Sequence, residues 1–233
     1  MNERATDQRC SVETPTTAGG LILALVGELS ARGVPWVYLR NYEGLPEEVG
    51  NDVDLLVSGG QRDPVAAIFR EVAEGMGWQE LSRTRFGPLA QYIWHPESGA
   101  TLHIDLFDRV EWHQVEIADA SAVLARRRWN GTVHVPDEGD EVYLNVLTRL
   151  IYNGTVREKH RQQASSGVVG AVLLRERFVS HLGNHGGRLF DQLLENDWSA
   201  TAESRGLARR GAWREYGLKR PRSLAVGIGR YVS

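Results

Sequence analysis

Cysteine, lysine and long apolar runs are all scarce in this chain of 233 residues. Cys10 is the only thiol, so no disulfide framework holds the fold, and a cysteine in a polar terminal stretch is a poor nucleophile. Lysine occurs only at Lys159 and Lys219, against 25 arginines. The longest apolar runs, around Leu21–Val26 and Val168–Leu174, fall far short of the ~18–20 residues that span a bilayer. The N-terminus, MNERATDQRC, is charged but has no apolar stretch. No secretory signal is therefore expected, and a cytoplasmic location follows as the default. The Asn-Gly-Thr triplets at Asn130 and Asn153 are then accidental. Two common motifs are missing as well: no Gly-x-x-x-x-Gly-Lys-Ser/Thr loop and no His-Glu-x-x-His pair occurs. His181 and His185 are four apart with Gly183 between them, and the other histidines are scattered. The glycine-rich GNHGGR stretch follows a helical pattern rather than a strand, so it reads as a turn and not a phosphate loop.

What is present suits a globular protein. Hydrophobic residues make up 42% and charged residues 24%, and the chain is long enough to bury a core without staples. The net charge of −3 is unevenly spread. From Thr201 onward eight basic residues stand against Glu203 and Glu215, leaving a tail of +6 behind a body of −9. Trp213, Tyr216 and Tyr231 interleave with those charges. Such a tail either meets anionic lipid or nucleic acid, or docks as a helix on the acidic body. The apolar residues between the charges favour docking, and nucleic acid is not an expected partner.

Along the chain, residues 1–16 are polar and expected to be disordered. Leu21, Leu25 and Leu29 recur at helical spacing up to Gly33. Val34–Leu39 and Asp52–Val57 read as strands, and the short loop between them suggests antiparallel pairing. Asp63-Pro64 reads as a helix start, N-cap then first helical residue, running to about Gly75. Three strand-like runs follow, Trp78–Arg85, Gln91–Trp94 and Thr101–Phe107, then a short helix at Ala118–Arg127 and a short strand at Thr132–Val135. Beyond Pro136 the pattern is helical, with segments at Asp140–Tyr152, Arg157–Gln163, Val168–Leu182 and Arg188–Asn196. This organisation predicts an α/β (α+β) fold: a small mixed sheet with helices on one face over 17–135, a helical domain over 136–200, and a basic helical tail over 201–233.

The stretch VYLRNYEGLPEEVGNDVDLLV, residues 37–57, carries the chemistry. Asp52 and Asp54 are two apart on a predicted strand, so their side chains share a face. Two carboxylates there repel unless a cation lies between them, and hard oxygen ligands suit Mg²⁺, with Mn²⁺ as its substitute. Asp105, inside the apolar run LHIDLF, is the candidate third ligand, because an acid within a strand needs a partner or a function. Turn and cap chemistry is the competing reading of Asp-x-Asp alone. His103 lies two residues from Asp105 on the same strand face; it either hydrogen-bonds to that carboxylate or is a structural histidine, and the structural reading is favoured.

The order of helix, strand, loop, Asp-x-Asp strand and later single Asp resembles the nucleotidyltransferase superfamily of the DNA polymerase β type. The LRNYEGLPE…NDVDLLV form is similar to uncharacterised bacterial proteins linked to polysaccharide and cell-surface synthesis. The resemblance covers residues 20–108 well and extends loosely to about 163. It implies that Asp52, Asp54 and Asp105 are metal ligands and catalytic carboxylates, the third helping to activate an attacking hydroxyl. It implies a nucleoside triphosphate as donor and a hydroxyl-bearing small molecule or sugar as acceptor. Arg40-Asn41 stand where the family has Gly-Ser, and would hold phosphate by guanidinium fork and amide. In LIYNGTVREKHRQ, Tyr152 would stack on a base and Lys159 or Arg161 would reach a phosphate. The alternative reading is a binding or regulatory module of the same fold that keeps the carboxylates and has lost transfer. A toxin-like transferase acting on RNA or protein has only the basic tail in its favour. The oligomeric state is not legible.

Overall fold

A computed structural model describes residues 17–217 except 51, 86 and 168. The expected N-terminal disorder and the last part of the basic tail lie outside these residues. Helix α1 (Ala18–Ala31) starts at Thr17, whose side chain accepts a hydrogen bond from the Gly20 amide at 3.1 Å. It buries the Leu21, Leu25 and Leu29 stripe. A five-stranded sheet follows, built from β1 (Trp36–Tyr38), β2 (Val53–Val57), β3 (Gln79–Arg85), β4 (Leu89–Trp94) and β5 (Thr101–Phe107), in the order β1-β2-β5-β4-β3. Helix α2 (Arg62–Gly75) connects β2 to β3, which frees β5 to pair with β2. That β2–β5 pairing is parallel and the other three are antiparallel, including the expected β1–β2 pair.

Strand alternation sorts the side chains into two cores. Trp36, Tyr38, Leu55, Val57, Ile104 and Leu106 lie with α1 and α2 on one face. Val37 and Leu56 point the other way and join a second apolar core. Helix α3 (Ala120–Arg126), the hairpin β6 (Val110–Trp112) and β7 (Val115–Ala118), and the helices that follow cover them there. So α1 and α2 line one face, and the helical region also roofs the β1–β2 end of the opposite face. Beyond a small ribbon, β8 (Arg128–Trp129) with β9 (His134–Val135), come α4 (Glu138–Asn153), α5 (Glu158–Ser165), α6 (Ala171–Glu195) and α7 (Ala202–Ala212). A π turn at 213–217 ends the described chain.

Helix α6 is two arms. Gly183 has φ 59° and ψ −145°, and the chain doubles back there. Arg175 pairs with Asp191 at 3.1 Å, although sixteen residues of straight helix would separate them by ~24 Å. The GNHGGR turn is thus the bend of a helical hairpin. The start of the basic tail docks through α7, which buries Leu207, Ala208 and Ala212. Its Arg205 and Arg209 donate to the last carbonyls of α4, those of Tyr152 and Ile151. Two details differ from expectation. Asp63 lies in the first turn of α2 and Gln61 takes the cap position. The β6–β7 hairpin was not predicted, because His113 and Gln114, both at positive φ, replace the usual Asn-Gly signal. No helix among the described residues is long and apolar enough to cross a membrane.

Candidate active site

The parallel β2–β5 pairing sets Asp54 directly opposite Asp105. Asp52 lies two residues before Asp54, on the same face by the period of the strand. One carboxylate oxygen from each of the three falls within 4.8 Å of the others. Two ligands of one Mg²⁺ at ~2.1 Å can be at most ~4.2 Å apart, so small side-chain rotations would bring Asp52 and Asp105 onto one ion with Asp54 beside them. The donor set, hard carboxylate oxygens from rigid strands or their ends, therefore fits a divalent cation.

Burial grades the three acids. The Asp54 side chain is 1% exposed, that of Asp105 16% and that of Asp52 35%. Burial pushes the Asp54 carboxyl above its usual range, and Asp52 and Asp105 add to this; Arg40 opposes it with a hydrogen bond and its charge. Arg40 grips Asp54 with a two-point fork, Nε to Oδ2 and Nη2 to Oδ1, the second at 3.0 Å. Burial disfavours the Arg40 charge, yet the bond to Asp54 and the field of the three aspartates leave its pKa raised. Asn41 donates a long hydrogen bond, 3.4 Å, to Asp52 Oδ1. His103 Nε2 lies 3.0 Å from Asp105 Oδ1, and the ring stacks on Tyr92 with centroids 4.1 Å apart. Tyr38 is fully buried, and its hydroxyl has no hydrogen-bond partner among the described residues. After burial, the charges of Asp54 and Asp52 contribute most to raising its pKa.

The loop carrying Arg40 and Asn41 is pinned from several sides. The Leu39 amide donates to the Asp54 carbonyl at 2.8 Å, which extends the β1–β2 ladder up to Arg40. Asn41 takes a left-handed φ of 60°, a conformation that asparagine tolerates better than most residues. Gly19, at the start of α1, lies against the Pro46 carbonyl, where any Cβ would clash.

A cavity of ≈ 480 Å³ opens beside the carboxylates. Arg40, Asn41, Tyr42, Glu43 and Asp52 form one wall. Glu141, Asn145, Thr148 and Arg149 of α4 line it too, with Arg157, Lys159, His160 and Gln163 on and before α5. The sequence-predicted residues thus divide. Asp52, Arg40, Asn41 and Lys159 line the cavity, and Asp54 and Asp105 complete the acidic cluster beside it. Tyr152 and Arg161 do not line it. The Tyr152 hydroxyl donates to the Glu111 carbonyl at 2.5 Å, and Arg161 pairs with Glu158 and Asp197. Arg40 sits on a carboxylate rather than facing open space for a phosphate. Arg149 was missed. Its signal was the polar stripe Glu141, Asn145, Thr148 and Arg149, which recurs at the spacing of one helix face.

No protein-family model matches the chain, and no curated protein matches it significantly. Among solved structures, the chain is similar to the antibiotic-resistance factor ANT(2'')-Ia. The likeness spans 92% of this chain and 97% of that one, at 13% identity and a TM-score of 0.36. A likeness of that degree carries no weight for activity or substrate.

Proposed function

We propose that this protein is a Mg²⁺-dependent nucleotidyltransferase that moves a nucleoside monophosphate from a triphosphate to a hydroxyl of a small molecule or sugar. The observation that carries the reading is the convergence of Asp52, Asp54 and Asp105 beside a cavity lined by Arg149, Arg157 and Lys159. Acids that would hold a cation next to bases that would hold an anion suit a metal-bound polyphosphate better than either feature alone.

When bound, the divalent ion supplies positive charge to the phosphates and to the attacking oxygen. Asp52 and Asp105 would hold it, with Asp54 beside them. Arg149, Arg157 and Lys159 would take the phosphate oxygens, the arginines by forked donation and the lysine as a point charge. The acceptor oxygen would form a bond to the α-phosphorus as the bond to pyrophosphate breaks. Asp105 would receive the hydroxyl proton, and His103 holds one of its oxygens in place.

A second reading is favoured by the Arg40 fork, which occupies both oxygens of Asp54. In that reading the chain is a binding or regulatory module that has lost transfer, serving polysaccharide or cell-surface synthesis. The link to such synthesis rests on the sequence resemblance alone. Calorimetric titration with ATP, CTP, GTP and UTP, each with and without Mg²⁺, separates the two. The enzyme reading expects one triphosphate to bind only with Mg²⁺ and to be lost in Asp52→Asn/Asp54→Asn. Wild-type protein that ignores all four triphosphates in Mg²⁺ overturns it in favour of the module.

A further inference from the structure

We infer that the acidic cluster takes one divalent ion rather than two, with Arg40 standing as a built-in cation against Asp54. This rests on the metal-dependent reading above. Three carboxylates carry −3. The fixed guanidinium reduces this to −2, which one divalent ion neutralises and a second would reverse.

Geometry argues the same way. Asp54 is the most buried of the three acids, and Arg40 engages both of its oxygens. Asp52 and Asp105 are more exposed. Among the described residues, Asp52 has only the long contact from Asn41 and an Arg40 nitrogen 4.0 Å away. Asp105 Oδ1 meets His103, and among the described residues no hydrogen bond reaches its Oδ2. The oxygens open to an ion therefore lie on the Asp52–Asp105 side of the cluster.

Arg40 is also hard to remove. A guanidinium does not lose its proton in proteins, so no ordinary pH vacates the position. Its backbone is tied to β2 through Leu39. Asn41 takes its left-handed φ with Gly50 close by, where an added Cβ would come within 3.1 Å of the Asn41 Cβ. Withdrawing the fork would leave a fully buried carboxylate unpaired, a costly arrangement. A small residue at this position would leave Asp54 free for a second ion, so Arg40 is a positioning residue that sets the metal count.

The test is Mn²⁺ alone, titrated into the full chain and followed by calorimetry and by the electron paramagnetic resonance of free Mn²⁺. One ion per wild-type chain is expected, one in Arg40→Lys, and two in Arg40→Gln. Arg40→Ala is a second charge-removing variant, so the comparison stands if either one misfolds. Two ions in wild type, or one in the charge-removing variants, overturns the one-ion inference and leaves metal dependence intact. No bound ion in wild type overturns the metal site and this inference together.

Discussion

Asp54 and His160 are titratable groups in buried surroundings, and their shifts act on stability in opposite directions. His160 is 7% exposed. Burial first, then the charges of Lys159, Arg149 and Arg157, hold its pKa down at about 4. An unfolded histidine titrates near ~6.5. Between those values the unfolded chain binds a proton that the folded chain refuses, so stability falls as pH drops from about 6.5 to about 4. Asp54, with its pKa raised mainly by burial, contributes the reverse: its stability cost grows as pH rises through its titration. Urea unfolding across pH 4–7 should show wild type weakening toward acid, and His160→Gln should flatten that slope. Neither shift was legible in the sequence. Arg157 and Lys159 are sequence neighbours of His160, but its burial and the approach of Arg149 from α4 come only with the fold.

Single glycines decide the shape of some elements. Gly183 combines a φ of 59° with a neighbour, the Glu215 carboxylate, that a Cβ would meet. Gly183→Ala should therefore cost ~1–3 kcal/mol from backbone strain and crowding. Gly27, inside α1, has nothing within 4 Å of an added Cβ, and Gly27→Ala should gain ~0.5–1 kcal/mol from helix propensity. Chemical denaturation of both variants checks the pair. The sequence predicted most elements here because apolar periodicity and turn residues are local signals. It missed the β6–β7 hairpin, whose turn chemistry is atypical. It also missed the buried cluster that joins α3, α4 and α6. There Asp140 of α4 takes a forked bond from Arg126 at 2.9 and 2.8 Å, and lies 3.3 Å from Arg177. Those partners are 14 and 37 positions away, beyond any local pattern.

At the scale of the whole molecule, the cavity joins two separately built parts. The carboxylates and the Arg40 loop come from the sheet, whereas Arg149 and Lys159 come from the helical region. A metal-bound triphosphate should therefore brace both parts. At a hundredfold excess over Kd a ligand stabilises by ~2.7 kcal/mol, so the thermal midpoint should rise by ~5–10 °C for a domain of this size. Arg149→Glu replaces an attractive charge with a repulsive one. It should weaken triphosphate binding about tenfold or more, by ~1.4 kcal/mol or beyond, and shrink that thermal shift, with little change in the ligand-free midpoint. Differential scanning fluorimetry with and without Mg²⁺ and the triphosphate makes both measurements.

The helix-then-strand order, the antiparallel β1–β2 pair, the helical second half and the choice of the three acids as candidates were legible in the order of residues alone. Each is a local matter of residue type, spacing or strand period. Long-range packing set β5 beside β2, parallel and in the register that faces Asp105 with Asp54. It also decided that Arg40 closes on Asp54 and that α4 supplies a cavity wall. Those choices depend on contacts between distant segments, where the burial of two apolar cores, and not local preference, selects the arrangement.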